Sequence, residues 1–540
     1  MHTLRNVEER FNQPPPICDI NLAVADRPLM DSAASDGAVE DLSVFGAEWG
    51  AADQFALGRL ANEHLPELHS HDPQGRRCDI VEFHPAYHAL MAQSYASGLH
   101  CSSWDVAGRR SHGRRAARLY ITTQVEAGHV CPLTMTHAAP AALSAAPNLL
   151  RDWLPRIRSR TYDGRFLPFW EKAGVTVGMG MTERQGGTDV RANLTSAKQI
   201  GGDEYEISGH KWFFSAPMSD AFLVLAQADR GLTCFLLPRF RPDGSVNDLK
   251  LVRLKKKLGN RSNASSEVEF ERAFAWRVGE EGRGVSTIIE MVQLTRLDCA
   301  VASAGLMRMA LTLAIHHARH RTVFQRRLAD QPAMAVLLAD LALEAEASTA
   351  LVLRLARSFD QAEARPEEAA RARILTPAVK FAVCQAAPGF IFEAMEVLGG
   401  NGYVEDCAMP RLYREAPVNA IWEGTGNVMA LDLLRAAQRE PEALALVLEG
   451  LVRDASGIPE ARAAASDIAA ALAAPDREEQ ARRAAHRLHD LAAAAAMTET
   501  VPADVAEAFV ASRLGRPRGP YGANDVGGCA GLLVERALDV

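Results

Sequence analysis

A short stretch near residue 180 is dense in groups that can bind a ligand. Thr182 and Thr188 carry hydroxyls, and Gly186 and Gly187 stand side by side between them, within residues 179–189. Glycine lets the backbone approach a ligand closely and adopt dihedral angles that other residues avoid. A turn of this kind can present several main-chain N–H groups to a flat heterocycle or an anion. We interpret it as a ligand-binding turn, with an ordinary surface turn as the alternative.

Two later clusters favour the ligand-binding interpretation. Residues 211–215 read Lys-Trp-Phe-Phe-Ser, an aromatic run that ends in a hydroxyl. Residues 421–427 read Ile-Trp-Glu-Gly-Thr-Gly-Asn, in which a carboxylate stands between an indole and a glycine-rich turn. An ordinary surface turn would not need either cluster, so the three stretches together indicate a binding site.

Periodicity indicates which elements carry these clusters. Apolar residues recur at helical spacing over residues 42–160, where prolines such as Pro73 interrupt them, so we expect a helical domain. Residues 174–278 change to short β-type runs bounded by turn residues, which predicts a small antiparallel domain. Residues 284–435 are strongly helical, as in an antiparallel bundle. Within that bundle we expect prolines 377 and 388 to end or kink helices.

Composition limits the class of protein. The 540 residues exceed one hydrophobic core, 48% of them are hydrophobic, and the formal charge of −8 gives no support for a protein that coats nucleic acid generally. Nine cysteines without a Cys-x-x-Cys pair argue against a zinc site and for a reducing compartment, and we predict no metal site. No charge-free apolar run is long enough to span a bilayer, and we expect a cytoplasmic protein that does not associate with membranes.

The motifs resemble those of the FAD-dependent acyl-CoA dehydrogenases in order and spacing, from roughly residue 120 to 438. They are Met-Thr-Glu and Gly-Gly-Thr-Asp within residues 181–189, Lys-Trp-Phe-Phe-Ser at 211–215, Leu-Gly-Asn-Arg-Ser-Asn at 258–263, Leu-Gly-Gly-Asn-Gly-Tyr at 398–403 and Trp-Glu-Gly-Thr-Gly-Asn at 422–427. The N-terminal leader, Trp422 before the Glu, and about a hundred extra C-terminal residues resemble one branch of this family, the AidB proteins of the bacterial response to DNA alkylation.

The resemblance implies an α+β fold of the acyl-CoA dehydrogenase type. Its expected parts are an N-terminal arm over residues 1–40, an N-terminal helical domain over 41–173, a central antiparallel β-barrel domain over 174–278, a C-terminal four-helix bundle over 279–440 and a helical extension over 441–540. It also implies a homotetramer.

The resemblance implies a specific reaction and a base. Enzymes of this family remove a proton from the carbon next to a thioester and pass a hydride from the following carbon to the flavin, so the protein must supply a base. Glu423 stands at the family's position for that base, and an apolar pocket can raise the pKa of such a carboxylate. The family's second position for the base, before Arg296, holds Thr295 here. The alternative is that Glu423 merely caps a helix or forms an ion pair.

The resemblance also implies a set of FAD-binding residues. They are Met179, Met181, Thr182, Gly187, Thr188, Trp212, Phe213, Ser215, Arg321, Phe324, Gly399, Gly400, Trp422, Thr425 and Asn427. Trp212 or Phe213 would flank the flavin ring. Arg321 resembles the arginine that a neighbouring subunit offers to the diphosphate, a task that suits a forked, permanently charged guanidinium. The chain departs from the common pattern at Gln325 and Glu396, and both changes could loosen that contact between subunits.

The C-terminal extension is the part that AidB proteins associate with double-stranded DNA. Residues 442–540 contain ten arginines, fifteen acids and no lysine, a balance that opposes duplex binding because affinity comes mostly from cations that replace counterions. The predicted DNA-binding residues are Arg482, Arg483, Arg487, Arg516 and Arg518, with a solvated helix face as the alternative. A second basic cluster, at residues 250–261, is either a solvated loop or an anion site.

Three functions compete. The one we predict is an AidB-like flavoprotein with weak dehydrogenase activity on acyl-CoA of the isovaleryl type, and with binding of double-stranded DNA. The others are a fully active dehydrogenase of short or branched thioesters without a DNA role, and a flavin-stabilised assembly protein with neither activity.

Overall fold

The computed structural model describes residues 11–34, 37–105, 111–515 and 519–539. Its α-helices are α1 (Arg27–Ala34), α2 (Val39–Trp49), α3 (Ala52–Glu63), α4 (Pro85–Ala96), α5 (His112–Val125), α6 (Val130–Leu143), α7 (Pro147–Ile157), α8 (Gly284–His320), α9 (Pro332–Gln361), α10 (Pro366–Leu398), α11 (Gly400–Tyr403), α12 (Met409–Ile421), α13 (Gly426–Arg439), α14 (Pro441–Asp454), α15 (Glu460–Ala473), α16 (Arg477–Thr500), α17 (Ala503–Phe509) and α18 (Ala530–Ala537). Its strands are β1 (Glu67–His71), β2 (Arg77–Glu82), β3 (Val177–Gly180), β4 (Ser196–Gly201), β5 (Glu204–Ser215), β6 (Ala221–Ala228), β7 (Gly231–Pro238), β8 (Leu249–Leu254), β9 (Ser265–Val278), β10 (Thr322–Val323) and β11 (Arg326–Arg327).

The chain divides into two compact units that interleave in sequence. Unit 1 comprises Met1–Phe55, His112–Val125 and Arg296–Val540, and unit 2 comprises Ala56–Ser111 and Glu126–Thr295. Unit 1 holds the long C-terminal helices and unit 2 holds the sheet. The domain boundaries expected from the sequence stay predictions.

Strands β3 to β9 form the sheet of unit 2. Its order is β3-β6-β4-β5-β9-β7, β8 pairs with β9, and β6 also pairs with β7. Most neighbours are antiparallel as expected, but β3 runs parallel to β6, and β4 meets β6 in one parallel pair between Ser196 and Gln227. The expectation of a purely antiparallel domain is therefore wrong for these pairs, because intervening chain supplies the crossover that parallel neighbours require. The barrel that the resemblance implies stays a prediction.

Aromatic side chains form the centre of unit 2. Phe214, Phe222 and Phe235 are fully buried, and β6 is buried along six consecutive residues. Gly178 and Gly180 lie directly over this core: an added Cβ at Gly180 would come within 2.4 Å of the Phe214 ring. These two glycines therefore let β3 pack closely onto aromatic rings, which turns the alternate residues of β3 away from the core.

The segment expected to be helical, residues 41–173, also contains a hairpin. Strands β1 and β2 pair in antiparallel fashion, and Asp72 accepts main-chain hydrogen bonds from Gln74 and Arg76 in the turn between them. Gly75 completes the turn with a φ of +81°. Helical periodicity missed the hairpin because its strands are short and polar.

Helix α10 is the central element of unit 1. It packs against α9, α12, α13, α14 and α16. Pro377 and Pro388 lie inside it and neither ends it. An internal proline removes one backbone hydrogen bond, and burial along most of this helix keeps the chain helical past both positions.

The C-terminal extension is part of unit 1. Arg513 is buried and bonds to Asp340 and Glu344 of α9. Arg536 bonds to Glu346 of the same helix and to Asp31 of α1. Because a buried charge is tolerated only when it is paired, these bridges tie the extension to the earlier helices.

Two helices, α8 and α10, are long and apolar enough to cross a membrane by length and composition. In α8 89% of the apolar window is buried inside the protein, and in α10 78%. Such burial is typical of the core helices of a folded protein, so these helices are weak indications of a membrane span.

Candidate active site

The turn after β3 is held by a buried ion pair. Glu183 accepts a hydrogen bond from the Lys211 ammonium at 2.7 Å, and both side chains are fully buried. Glu183 also accepts from the main-chain N–H of Leu194 at 2.7 Å. Burial alone would raise the pKa of Glu183, but the hydrogen bonds from Lys211 and its neighbours lower it to about 2. The carboxylate is therefore a charged anchor that fixes the turn against β5.

The predicted cofactor residues of unit 2 lie together around this turn. Thr182 accepts a hydrogen bond at its main-chain oxygen from the N–H of Trp212 at 2.8 Å, which joins the turn to β5. Gly187 lies against Thr182, since an added Cβ would be 3.4 Å from the Thr182 methyl carbon. Gly187 and Thr188 are exposed. The structure thus brings the hydroxyl-bearing turn and the aromatic strand side by side.

The outward side of β3 and β5 carries the apolar members of the set. Met179 and Met181 are partly exposed, and they alternate with the two glycines that pack on the core. Phe213 is 54% exposed, whereas its neighbour Phe214 is buried. Ser215 is partly exposed and its hydroxyl lies 3.4 Å from that of Ser265. An exposed apolar surface of this kind is typical of a ligand site.

The two aromatic candidates for the flavin ring differ in what covers them. The Lys255 ammonium lies 3.5 Å from the centre of the Trp212 ring and 4.8 Å from that of Phe213. Lys255 is itself held by Glu267 at 2.7 Å. A cation that close occupies one face of the indole. The geometry therefore favours Phe213 as the ring that a flat ligand would contact.

In unit 1, Glu423 lies in the four-residue connection between α12 and α13. Its φ is +57°, a left-handed conformation that non-glycine residues rarely adopt, and Gly424 follows with φ +112°. The main-chain oxygen of Glu423 accepts from the Arg296 guanidinium at 3.0 Å. Lys380 donates to the main-chain oxygens of Trp422, at 2.9 Å, and of Gly424. Two buried cations thus hold three consecutive carbonyls.

Both cations have further fixed surroundings. Arg296 bonds to Asp432 of α13 at 2.8 Å, and Lys380 is only 1% exposed. Trp422 is oriented by its own hydrogen bond, from the indole N–H to the side-chain oxygen of Asn419 at 3.0 Å. A strained backbone persists only where its surroundings determine it strongly, and such strain is common at functional sites. The arrangement supports the prediction that Glu423 does chemistry.

Except for the half-buried Arg321, the remaining cofactor candidates of unit 1 are exposed. Phe324 is 90% exposed at the tip of the β10–β11 hairpin, and Phe324 and Gln325 have φ of +50° and +65°. Arg321 donates to the main-chain oxygen of Asn12 at 2.6 Å, so the N-terminal arm contacts the base of this hairpin. Gly399 and Gly400 are exposed, and Thr425 and Asn427 lie at the exposed start of α13. An added Cβ at Gly399 or Gly400 would meet nothing within 4 Å.

The arginines predicted to bind DNA have different surroundings. The guanidinium of Arg482 bonds to the side chains of Asn427 and Gln385. Among the contacts described, Arg483 bonds only to Gln480 of its own helix. Arg487 donates to the main-chain oxygen of Leu514. Arg516 and Arg518 lie outside the described residues.

Charge pairing also affects the second basic cluster. Arg253 and Lys255 share Glu267, and Lys250 bonds to Glu271. Lys257 donates to the main-chain oxygen of Asn263 at 2.7 Å. These pairings satisfy much of the cluster's charge within unit 2, which favours a structural explanation for it over an anion site.

Sequence reasoning missed three positioning residues. Glu183 and Lys211 lie within motifs that carry the family resemblance but that assign them no role, and Lys380 lies outside those motifs. One signal was present for Lys211, a charged residue directly before the aromatic run of residues 212–214, because a buried charge requires a partner. Lys380 lies within a long helical run, where nothing local distinguishes it from a surface lysine.

Three family profiles match the chain in order. Adaptive response protein AidB N-terminal domain matches residues 12–164, acyl-CoA dehydrogenase middle domain matches residues 178–273, and acyl-CoA dehydrogenase C-terminal domain matches residues 282–438. The AidB protein of Escherichia coli (strain K12) is 48% identical over 447 residues, 82% of each chain. The chain belongs to the acyl-CoA dehydrogenase family. Within that family it belongs to the AidB branch.

Other relatives agree with this assignment. Acyl-CoA dehydrogenase family member 11 of Caenorhabditis elegans is 34% identical over 418 residues, 73% of this chain and 66% of the relative. The solved structure of C. elegans ACDH-11 in complex with C11-CoA has a TM-score of 0.82 at 27% identity, over 97% of this chain and 91% of that chain. An acyl-CoA dehydrogenase of Bacillus anthracis, solved with FAD, has a TM-score of 0.61 at 19% identity, over 79% of this chain and 77% of that chain, and shows a shared fold.

Family membership confirms the acyl-CoA dehydrogenase fold and makes the protein an FAD-dependent oxidoreductase. The residues present fit a flavin. The exposed Phe213 and the two methionines offer apolar contact to a flat ring, and the turn beside Gly187 leaves room for close approach to main-chain N–H groups. The assignment of these residues as FAD contacts stays a prediction.

Proposed function

We propose that the protein dehydrogenates an acyl-CoA thioester, with Glu423 as the base. The observation that supports this most is the conformation of Glu423, which is left-handed and held through three carbonyls by Arg296 and Lys380. When bound, FAD would accept a hydride from the carbon two bonds from the thioester carbonyl. Glu423 would take the proton from the intervening carbon.

The chain's own residues have separate tasks in this proposal. The turn after β3, which contains Thr182, and the side chain of Phe213 bind and orient the flavin. The Glu183–Lys211 pair fixes that turn to β5. The connection between α12 and α13 fixes the direction of the Glu423 side chain. Correct orientation of a base is worth several kcal/mol of barrier lowering, which is why two buried cations on main-chain oxygens matter.

The test is a comparison of Glu423→Gln with the wild type under anaerobic conditions. Glutamine keeps the size of the side chain and removes its ability to accept a proton. FAD content and oligomeric state should not change, while bleaching of the flavin by isovaleryl-CoA in a rapid-mixing experiment should disappear. Reduction of Glu423→Gln at the wild-type rate would show that another group is the base.

We propose that the substrates are thioesters with short or branched acyl chains and that the protein turns them over slowly. The indole of Trp422, fixed by Asn419, is bulkier than the tyrosine that the family resemblance leads us to expect, and a bulkier side chain here would leave less space for an acyl chain beside Glu423. C. elegans ACDH-11 was solved with C11-CoA, so the test must include long thioesters. Trp422→Tyr should extend activity towards longer chains. If wild type reduces fastest with a long-chain thioester, the proposal on chain length is wrong.

We also propose a cytoplasmic homotetramer that binds double-stranded DNA weakly, without sequence preference, in the response to alkylation. Of the described arginines in the predicted set, Arg483 best fits this role, because it is exposed and bonds to Gln480 of its own helix, whereas Arg487 is half-buried and donates to the main-chain oxygen of Leu514. Arg483→Gln should weaken retention of a duplex, and retention should fall steeply with salt. Absence of retention at low salt would leave the dehydrogenase as the sole function.

A further inference from the structure

An arginine of the C-terminal extension contacts the segment that carries Glu423. Arg482 lies on α16, and its guanidinium donates to the side-chain oxygen of Asn427 at 2.8 Å. The second arm of the guanidinium lies 3.4 Å from the side-chain oxygen of Gln385. Its central carbon is 4.9 Å from the centre of the Phe381 ring. Three partners from two other helices therefore define one position for this side chain.

Gly426 shows how closely this arginine approaches the backbone. A Cβ added at Gly426 would lie 2.8 Å from the amide nitrogen of Gln385 and 3.0 Å from Arg482 Nη1. It would also lie 3.2 Å from the Phe381 ring. A side chain at this position would push the ends of Gln385 and Arg482 away, so the glycine allows the same three side chains to pack closely on the start of α13, an observation independent of the hydrogen bonds.

The contacts of Arg482 reach Glu423 by two short routes. Asn427 is the second residue of α13, and Glu423 is three residues before that helix begins. Phe381 and Gln385 lie on α10 next to Lys380, whose ammonium holds the carbonyls on both sides of Glu423. One region of α10 therefore contacts the connection through Lys380 and contacts Arg482 through its neighbours.

We propose that Arg482 is a positioning residue for Glu423, so that the extension takes part in catalysis. By fixing the start of α13, the guanidinium restricts the connection in which Glu423 sits. This inference rests on the proposed role of Glu423 as base. It assigns to Arg482 a task inside the protein, which differs from the DNA contact expected from the sequence.

Arg477 is a matched control on the same helix. It has the same charge and is also exposed, but its guanidinium lies 3.5 Å from the main-chain oxygen of Ala474, just before α16. Residues five apart on a helix point about 140° apart, so the two arginines leave the helix in different directions. Any effect of net charge in the extension should be equal for the two, whereas an effect of position should follow Arg482 alone.

The experiment uses full-length, FAD-loaded Arg482→Gln and Arg477→Gln, mixed anaerobically with isovaleryl-CoA over a range of concentrations. We expect Arg482→Gln to lower the limiting rate of flavin reduction about tenfold with the half-saturating concentration unchanged, as for a group that acts only in the reaction. Arg477→Gln should stay near the wild-type rate. Asn427→Ala should lower the rate similarly, and the double variant should be no slower than either single one, because both changes break one contact.

Hydrogen exchange separates failure of this inference from failure of the proposed function. Amides of residues 422–429 should exchange faster in Arg482→Gln than in Arg477→Gln, whether or not the wild type reduces isovaleryl-CoA. No reduction by the wild type with any thioester would contradict the proposed function, and the exchange result would still decide whether Arg482 orders the connection. Equal exchange and equal rates for the two variants would overturn the inference, as would weaker duplex binding in Arg482→Gln with unchanged reduction.

Discussion

The ammonium of Lys380 donates to the main-chain oxygen of Trp422 at 2.9 Å, one residue before Glu423. The same ammonium donates to the oxygen of Gly424, one residue after it. A buried lysine on α10 therefore holds the residues on both sides of Glu423. Charged hydrogen bonds of this kind contribute about 1.5–3 kcal/mol each, enough to hold a left-handed residue in place.

Replacement of Lys380 by methionine should impair catalysis. Methionine keeps much of the length of the side chain but leaves two carbonyls without their donor. We expect the limiting rate of flavin reduction to fall at least about tenfold while the FAD content per chain is unchanged. Rapid-mixing absorbance checks the rate. The control is Arg365→Met, which alters an exposed arginine just before α10. An unchanged rate for Lys380→Met would show that the hydrogen bonds of Lys380 do not position Glu423.

The Glu183–Lys211 pair predicts a dependence of stability on acid. The folded-state pKa of Glu183 is about 2, below its ordinary value of 4.5. Its stabilisation is therefore present above about pH 4.5 and is lost as the pH falls towards 2, and it is on the order of 3 kcal/mol.

Glu183→Gln should lower the thermal midpoint at pH 7, and the difference from the wild type should shrink between pH 4.5 and 3. Glu204→Gln, at an exposed position that begins β5, is the control. A difference that is constant with pH would show that the ionised carboxylate is not what stabilises the turn.

The N-terminal arm should protect the β10–β11 hairpin. The Asn12 side chain donates to the oxygen of Thr322 at 2.9 Å and accepts from its N–H at 2.8 Å. Loss of two such bonds costs about 2 kcal/mol, so Asn12→Ala should speed tryptic cleavage after Arg326 or Arg327 about thirtyfold.

FAD affinity should fall in the same variant if Arg321, whose guanidinium bonds to the main-chain oxygen of Asn12, binds the cofactor. Limited proteolysis and dissociation of FAD on dilution measure the two effects. Asn401→Ala, which breaks a contact with Gln13 but not with the hairpin, should leave cleavage unchanged.

The C-terminal extension should pack less stably on α9 when the buried Arg513 is replaced. Arg513→Leu would leave Asp340 and Glu344 buried without their guanidinium, a change that typically costs 3–5 kcal/mol. Hydrogen exchange over residues 503–514 should then accelerate strongly. Arg462→Leu, at an exposed position of α15, is the control. Slow exchange in Arg513→Leu would mean that apolar packing alone holds the extension.

Removal of residues 442–540 should give insoluble protein. Helix α16 is buried from Leu488 to Met497 and packs against α9, α10 and α13, so truncation would expose the apolar faces of those helices. Yield in the soluble fraction measures the outcome. A soluble, FAD-loaded truncated protein would show that the extension is a separable domain.

Local patterns in the sequence determined much of the fold. The β-type runs fall within β5, β6 and β9, because side-chain alternation and turn residues act over a few positions. Motif order was enough to identify the family. It also placed Glu423 in a glycine-rich turn, because Gly424 and Gly426 follow it closely in the sequence.

Only the tertiary structure decided which charges meet. Glu183 and Lys211 are 28 residues apart, Lys380 and Gly424 are 44 apart, and Arg482 and Asn427 are 55 apart. Each pair depends on how whole helices or strands pack, and no periodicity within one element specifies the partner on another. The arginines of the extension show this most clearly. In the sequence nothing distinguishes Arg482 from Arg513, since both are arginines of a lysine-free extension. Packing places Arg482 beside the start of α13 and buries Arg513 against two carboxylates.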